Sequence, residues 1–263
     1  MEADDLRRLA KKTGFDVGTL EKDYALTGLL SGIYANDSNL KNVLIFKGGT
    51  AIRKVYFPEW RLSEDLDFTI LEKVDADEIK KGFEEVFLQL RKRINIAYSF
   101  DKFRLGDFSI LADVQFVGPF EHKNRIGHDI ALREKLVEDP VQVEVKQEYE
   151  GIPGFKILVY SLNEILVEKI RSMFQRAKAR DYYDAWRLVK DRKWELETIK
   201  TSVVKKCRET GVGFTPNLIF EETRLREIKK FWAIALSRLT RPLPDVQLVI
   251  EELRSELDFL STA

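Results

Sequence analysis

The run LIFKGGTAIRKVYFPEWRLSEDLDFTI, residues 44–70, does most to limit what this chain can fold into. Within NVLIF, just upstream and overlapping it, lies a short apolar strand that closes on Gly48 and Gly49, and TAIRKVYF beyond them carries helix signals. A strand that ends in paired glycines and turns at once into a helix exposes backbone N–H groups at the positive end of the helix dipole, which suits phosphate oxygens. Thr50 adds a hydroxyl there, and Lys47 and Arg53 supply charge. Taken alone, a Gly-Gly between strand and helix is more often only a tight turn.

The second half of the run adds chemistry. DLDFTIL alternates as a strand does, so Asp65 and Asp67 project from one face while Leu66, Phe68 and Ile70 project from the other. Two carboxylates that repel each other favour a hard cation, and Mg²⁺ takes one or two carboxylates plus substrate phosphates. The plainer reading is the solvated face of an amphipathic strand. Ser63 joins the same face if the strand extends that far, and there it would hydrogen-bond a phosphate. A two-metal phosphoryl-transfer site needs one more carboxylate. Asp129 in RIGHDIALRE shares a strand face with Gly127 and Ala131, opposite Ile126, Ile130 and Leu132, and Glu144 in VQVEVKQE competes with a similar local pattern.

Composition excludes several classes. At 44% hydrophobic and 33% charged, the chain is expected to be an ordered globular protein, and 44 basic against 44 acidic residues provide no general attraction to polyanions. Cys207 is the single cysteine, and His122 and His128 form no zinc pattern. The start MEADDLRRLAKK lacks the apolar core of a signal peptide and no apolar run approaches the roughly 20 residues of a membrane span, so no membrane association and a cytoplasmic location are expected.

Along the chain, VGTLEKDYALTGLLSGIYA and DADEIKKGFEEVFLQLRKRI read as helices around the two strands, giving an α-β-α-β-α beginning. FSILADVQFVG, RIGHDIAL and GFKILVYS read as further strands, and from Ser161 onward the pattern is helical. The expected class is α+β: a mixed-sheet lobe with flanking helices over residues 1–158, then an all-helical lobe over 159–263.

SLNEILVEKIRSMFQRAKARDYYDAWRL opens the helical part with Ser161 and Glu164 at capping-box spacing. Lys169 sits within or beside the apolar stripe, and an unbroken helix would line up Lys169, Arg176 and Arg180 as a cationic rail for triphosphate or an RNA backbone. Three basic residues on a helix are more usually a solvated face. Asp181 and Asp184 add carboxylates a turn apart.

Taken in order, these segments resemble the AbiEii/AbiGii-type nucleotidyltransferase toxins, relatives of the DNA polymerase β-type nucleotidyltransferases and the toxin half of type IV toxin–antitoxin and abortive-infection systems. LEKDYALTGLL is similar to the family's N-terminal helix, FKGGTAIRKVY to its phosphate loop, RLSEDLDF to its Ser-x-Asp-x-Asp strand, NRIGHDIALREKL to a segment with a further acidic strand residue, and LNEILVEKIRSMFQRAKARDYYDAW to its helical-lobe signature. The resemblance favours Asp129 over Glu144. It implies that Gly48 and Gly49 hold phosphates, that Asp65 and Asp67 bind Mg²⁺ or Mn²⁺, that Lys169 contacts the triphosphate, and that Asp181 and Asp184 complete the site. Ser63 stands at the family's hydroxyl position, where a partner kinase antitoxin modifies some members. The chain has Lys178-Ala179-Arg180-Asp181 where the family commonly shows Lys-Pro-Arg-Asp or similar, so a proline-induced helix break cannot be assumed here. The resemblance thus implies transfer of NMP from an NTP, with the tRNA 3′ end as acceptor and a cognate antitoxin as partner. A protein or small-molecule acceptor, or a non-catalytic nucleotide- or partner-binding module, are the alternatives.

Overall fold

The computed structural model describes residues 1–35, 38–132 and 134–261. The chain forms two compact units, Met1–Glu134 with Pro140–Tyr160, and Lys135–Asp139 with Ser161–Ala263.

The first unit begins with helices α1 (Ala3–Thr13) and α2 (Val17–Tyr34). Strand β1 (Ile45–Lys47) runs directly into α3 (Gly48–Ala51), a single α turn that widens into a π turn over Ile52–Tyr56. The helix signalled by TAIRKVYF is thus present, but as one α turn followed by a π turn. Strand β2 (Asp65–Ile70) and helix α4 (Ala76–Ile94) follow, then β3 (Ala97–Leu105), β4 (Ser109–Val117), β5 (Lys123–Leu132), β6 (Val141–Val145) and β7 (Phe155–Val159). Local chemistry sets the helix ends: Asp16 accepts from Thr19 N at 3.0 Å, Asp75 accepts from Asp77 N at 2.8 Å, and Asn95 stops α4 at φ +53°.

The strands form one seven-stranded mixed sheet in the order β3-β4-β5-β2-β1-β7-β6. β2 runs parallel to β5 and β1 parallel to β7, while the other neighbours are antiparallel. One face is core: Phe46, Phe68, Ile130 and Ile110 stand in a row across β1, β2, β5 and β4, all buried, with α2 and α4 packed on the sheet. His128 belongs to this layer, edge-on to Phe83 at 5.8 Å, and its burial lowers its pKa to about 4. The opposite face is left to the site.

α2 is buried nearly all round, which forces its polar groups to find partners. Asp23 accepts from Lys54 Nζ at 2.7 Å and from the Tyr149 hydroxyl at 2.6 Å, and Arg53 and Lys54 both pair with Glu148, at 2.6 and 2.5 Å. Burial pushes the Asp23 carboxyl up, but the charges of Lys54 and Arg53 outweigh it and hold the group below the ordinary carboxylate value. Since the folded value lies below the unfolded one, this stabilisation is complete above about pH 4 and is lost as pH falls through the folded value. Urea midpoints measured downward from about pH 6 are expected to fall more steeply below about pH 4 in the native chain than in Asp23→Asn; parallel curves would show that Asp23 contributes nothing to acid unfolding.

The second unit comprises α5 (Leu162–Gln175), α6 (Ala179–Asp191), α7 (Leu196–Thr210), α8 (Pro216–Ile219), α9 (Glu222–Leu236) and α10 (Val246–Glu256). α6 packs against α5, α9 and α10, and α5 against α7. The unbroken helix assumed for a cationic rail does not form: Arg176 is extended at φ −146° and ψ 152°, and α6 restarts after Lys178. No proline is needed for the break, because Arg176 Nε turns to Asp181 Oδ2 at 2.9 Å and the Asp181 N–H donates to Lys178 O at 3.0 Å, opening a new helix. Ser161 caps α5 through Glu164 N at 3.0 Å. The Glu164 side chain does not close a capping box; its Oε2 accepts from Val137 N at 2.9 Å and Glu138 N at 3.0 Å. Those bonds, with Lys206 Nζ donating to Lys135 O at 2.6 Å, tie Lys135–Asp139 to the helices.

Candidate active site

The face of the sheet away from α2 and α4 carries the carboxylates. Asp67 stands directly opposite Lys47 of β1 on one side and Asp129 of β5 on the other, and Asp65 stands opposite Gly127. Pairing across adjacent strands puts side chains on a common face about 5 Å apart, so Lys47, Asp67 and Asp129 form one row with Asp65 in the next. Asp65 and Asp129 are exposed and Asp67 is half-buried. Glu144 lies on the edge strand β6 opposite Lys156, with β7 and β1 between it and β2. Strand order thus separates two acidic candidates that local pattern left equal.

Two glycines make room for these carboxylates. Gly48 has φ +80°, and a Cβ built on it would lie 2.2 Å from Asp67 Oδ2; a Cβ on Gly127 would lie 2.9 Å from Asp65 Oδ1. Gly48→Ala is therefore expected to cost about 1–3 kcal/mol of stability and to lower activity tenfold or more, since backbone strain and displacement of Asp67 act together. Activity within about twofold of the native chain would show that Asp67 tolerates the displacement.

The other residues of the turn are differently employed. Lys47 Nζ is paired with Glu134, whose Oε2 also accepts from the Tyr160 hydroxyl at 2.9 Å, and the ammonium lies 5.7 Å from the Tyr160 ring centroid. Thr50 Oγ1 donates to Asp65 O at 2.5 Å and so pins the turn to the start of β2. Arg53, expected at the phosphate turn, is buried instead in the Asp23–Glu148 cluster, because the π turn directs it to carboxylates on α2 and the 148–149 segment. Ser63 is 8% exposed and precedes β2, which begins at Asp65, so strand alternation does not carry it to the carboxylate face.

In the helical unit, Lys169 Nζ lies 3.1 Å from Asp181 Oδ1 and 2.8 Å from Asp184 Oδ2. Burial pushes the Asp181 carboxyl up, yet Lys169 and Arg176 together hold it below its ordinary value. Arg180 is half-exposed, and its Nε donates to Ala235 O at 3.4 Å. Lys169, Asp181 and Asp184 are thus one ion-paired group, with Arg176 paired to Asp181 at its edge.

A concavity of about 430 Å³ extends over the carboxylate face, lined by Asp65, Asp67 and Asp129 and also by Lys102, Arg104 and Asp113. Sequence reading missed those last three. The signal was present after Gly106-Asp107, where SILADVQF alternates with period two, but before it a bulge between Phe100 and Lys102 breaks the alternation of SFDKFRL. The hard-oxygen donor set of Asp65, Asp67 and Asp129 suits a divalent cation. Among the described residues no three His, Cys, Asp or Glu side chains converge closely enough to hold a metal ion by themselves, and an ion completed by substrate phosphates needs only one or two carboxylates.

No helix among the described residues is long and apolar enough to cross a membrane. A comparison with curated protein sequences finds no match. The solved structure of MenT4, a nucleotidyltransferase toxin from Mycobacterium tuberculosis H37Rv, is similar over 100% of this chain and 90% of its own, with TM-score 0.72 and 19% identity, a likeness of fold. An antigenic nucleotidyltransferase-like protein from Paracoccidioides brasiliensis aligns over 76% of this chain and 92% of its own at TM-score 0.40 and 17% identity, too low to bear on the fold. The sequence model of the nucleotidyl transferase AbiEii toxins, of type IV toxin–antitoxin systems, matches residues 29–255. With most of its length matched, sheet and helices alike, the chain belongs to the AbiEii family of nucleotidyltransferase toxins.

Proposed function

We propose that the chain transfers NMP from an NTP to the 3′-terminal hydroxyl of tRNA, with Mg²⁺ as cofactor and release of pyrophosphate. Family membership supports nucleotidyl transfer, an NTP substrate, a divalent metal and a cognate antitoxin; Mg²⁺ and the tRNA acceptor are the finer steps, the acceptor by resemblance. The observation that carries the reading is the row Lys47, Asp67, Asp129 with Asp65 beside it on one sheet face.

Asp65 and Asp67 are the proposed holders of the metal, with Asp129 as the third carboxylate beside the attacking hydroxyl. A divalent cation held there would offset charge on the phosphates and lower the pKa of the acceptor hydroxyl. The backbone N–H groups that follow Lys47 have no acceptor within the short helix they open, so Gly48 and Gly49 are the proposed phosphate contacts. Lys47 is placed one strand from Asp67 and supplies positive charge on the leaving-group side. Lys169, Asp181 and Asp184 enter the proposal as a group, with Lys169 oriented by the two carboxylates it pairs with; Lys169→Met and Asp184→Asn are each expected to slow transfer at least about tenfold.

The test is incubation of the protein with Mg²⁺, each α-labelled NTP in turn and total tRNA, with a chelator control. Label on tRNA, lost with chelator and restored by Mg²⁺, is the expected result. Label on protein or on a small molecule would move the acceptor, and bound nucleotide without transfer to anything would indicate a binding module.

A further inference from the structure

We propose that the β3–β4 hairpin is the acceptor-binding element, in which Arg104 and Lys102 hold phosphates of a single-stranded RNA 3′ end and Leu111 supports its terminal nucleotide. This rests on the reading that Asp129 stands beside the attacking hydroxyl. The row through the carboxylates continues across the sheet in register: Asp129 is opposite Leu111 of β4, and Leu111 is opposite Arg104 of β3. In the neighbouring row, Gly127 is opposite Asp113 and Asp113 opposite Lys102. The charges on this face are therefore ordered, with Lys47 at the β1 end, carboxylates in the middle and Arg104 with Lys102 at the β3 end.

In-line displacement at phosphorus requires the attacking oxygen and the leaving pyrophosphate on opposite sides of the reacting phosphate. If the triphosphate occupies the glycine turn beside Asp67, the acceptor must approach from the other side of Asp129, over β4 and β3. At about 4.8 Å per strand, the backbones of Arg104 and Asp129 lie roughly 10 Å apart, a gap that one nucleotide bridges together with the reach of the two side chains, its hydroxyl at Asp129 and its 5′-phosphate towards Arg104. Two residues on along the same strand face, Lys102 is about 7 Å from Arg104 and suits the next phosphate.

The side chains fit that task. Arg104 is exposed and makes no ion pair among the described residues, while Lys102 makes one exposed contact with Asp113 at 3.6 Å. Leu111 is 53% exposed in a concavity lined by charged residues, and its exposed part offers an apolar surface for a base or sugar. A chain with net charge zero attracts a polyanion only where its charges are sorted, and here they are.

The test uses the full chain with Lys102→Ala and Arg104→Ala, singly and together, Arg104→Lys as the charge-retaining variant, and Leu111→Asp. Steady-state transfer to total tRNA is measured with each substrate varied, and tRNA binding without NTP is measured across salt. The double variant is expected to raise KM for tRNA at least about tenfold, to lower the salt slope of tRNA binding by about two, and to leave KM for NTP within about twofold. Arg104→Lys is expected to recover most of the loss, and Leu111→Asp to raise KM for tRNA alone. Unchanged tRNA kinetics in the double variant, with tRNA labelled by the native chain, would overturn this proposal and leave the transfer reading standing. Equal losses in both KM values would also overturn it, since the residues would then serve the nucleotide or the fold. Absence of label on tRNA with the native chain would overturn both.

Discussion

Replacing Asp67 by alanine is expected to lower nucleotidyl transfer by at least about a thousandfold, roughly 4 kcal/mol of transition-state stabilisation. Three features of its surroundings make it the most sensitive position. It is the middle member of the row, opposite Lys47 on one strand and Asp129 on the other. Its carboxylate occupies the space that a side chain on Gly48 would fill, 2.2 Å from the position of that Cβ. Removing it also takes away the carboxylate that stands between Asp65 along its own strand and Asp129 on the next, the middle of the proposed donor set for a divalent cation. Asp67→Asn keeps the shape and loses the charge, and should fall nearly as far. Glu144→Gln, on the far edge strand, should remain within about twofold of the native chain. The measurement is single-turnover transfer of labelled NMP at saturating NTP, with unfolding midpoints as a control for the fold. More than a tenth of native activity in Asp67→Ala would sink the assignment.

Lys206→Ala is expected to destabilise the helical unit by about 3–5 kcal/mol, a larger stability effect than that of Gly48→Ala. Lys206 is 0% exposed, and its ammonium lies 2.8 Å from Glu164 Oε1, 2.9 Å from Glu168 Oε1 and 2.6 Å from Lys135 O. Truncation removes the cation and leaves Glu164 buried with an uncompensated charge, the costly way to break a buried pair. Glu164 also accepts the N–H groups of Val137 and Glu138, so the Lys135–Asp139 segment is expected to loosen from the helices together with α7. Urea unfolding gives the total, and hydrogen exchange at Val137 and Glu138 gives the local part. In a double-mutant cycle, Lys206→Ala with Glu164→Ala should cost less than the sum of the two by more than about 1 kcal/mol. A loss below about 1 kcal/mol for Lys206→Ala, with protection at Val137 unchanged, would show that the cluster is dispensable.

By itself the sequence determined what depends on neighbours along the chain. Alternation about Leu66, Phe68 and Ile70 put Asp65 and Asp67 on one face, because strand geometry has period two and the apolar members must be buried. Gly48 and Gly49 marked the end of β1, and Ser161 marked the start of α5 through a cap made within three residues. Tertiary structure decided what depends on partners distant in sequence. Asp129 and Glu144 present the same local pattern, and only the strand order sets the first beside Asp67 and the second at the edge. Arg53 looked like a phosphate ligand until the π turn carried it to Asp23 and Glu148. Lys169, Arg176 and Arg180 looked like a rail on one helix, but α5 ends at an extended Arg176 whose guanidinium, with Lys169, pairs with the buried Asp181 twelve residues on from Lys169. Arg104 and Lys102 acquired a place beside the carboxylates only through the pairing of β3, β4 and β5, a register set by the buried face of the sheet rather than by the exposed residues it brings together.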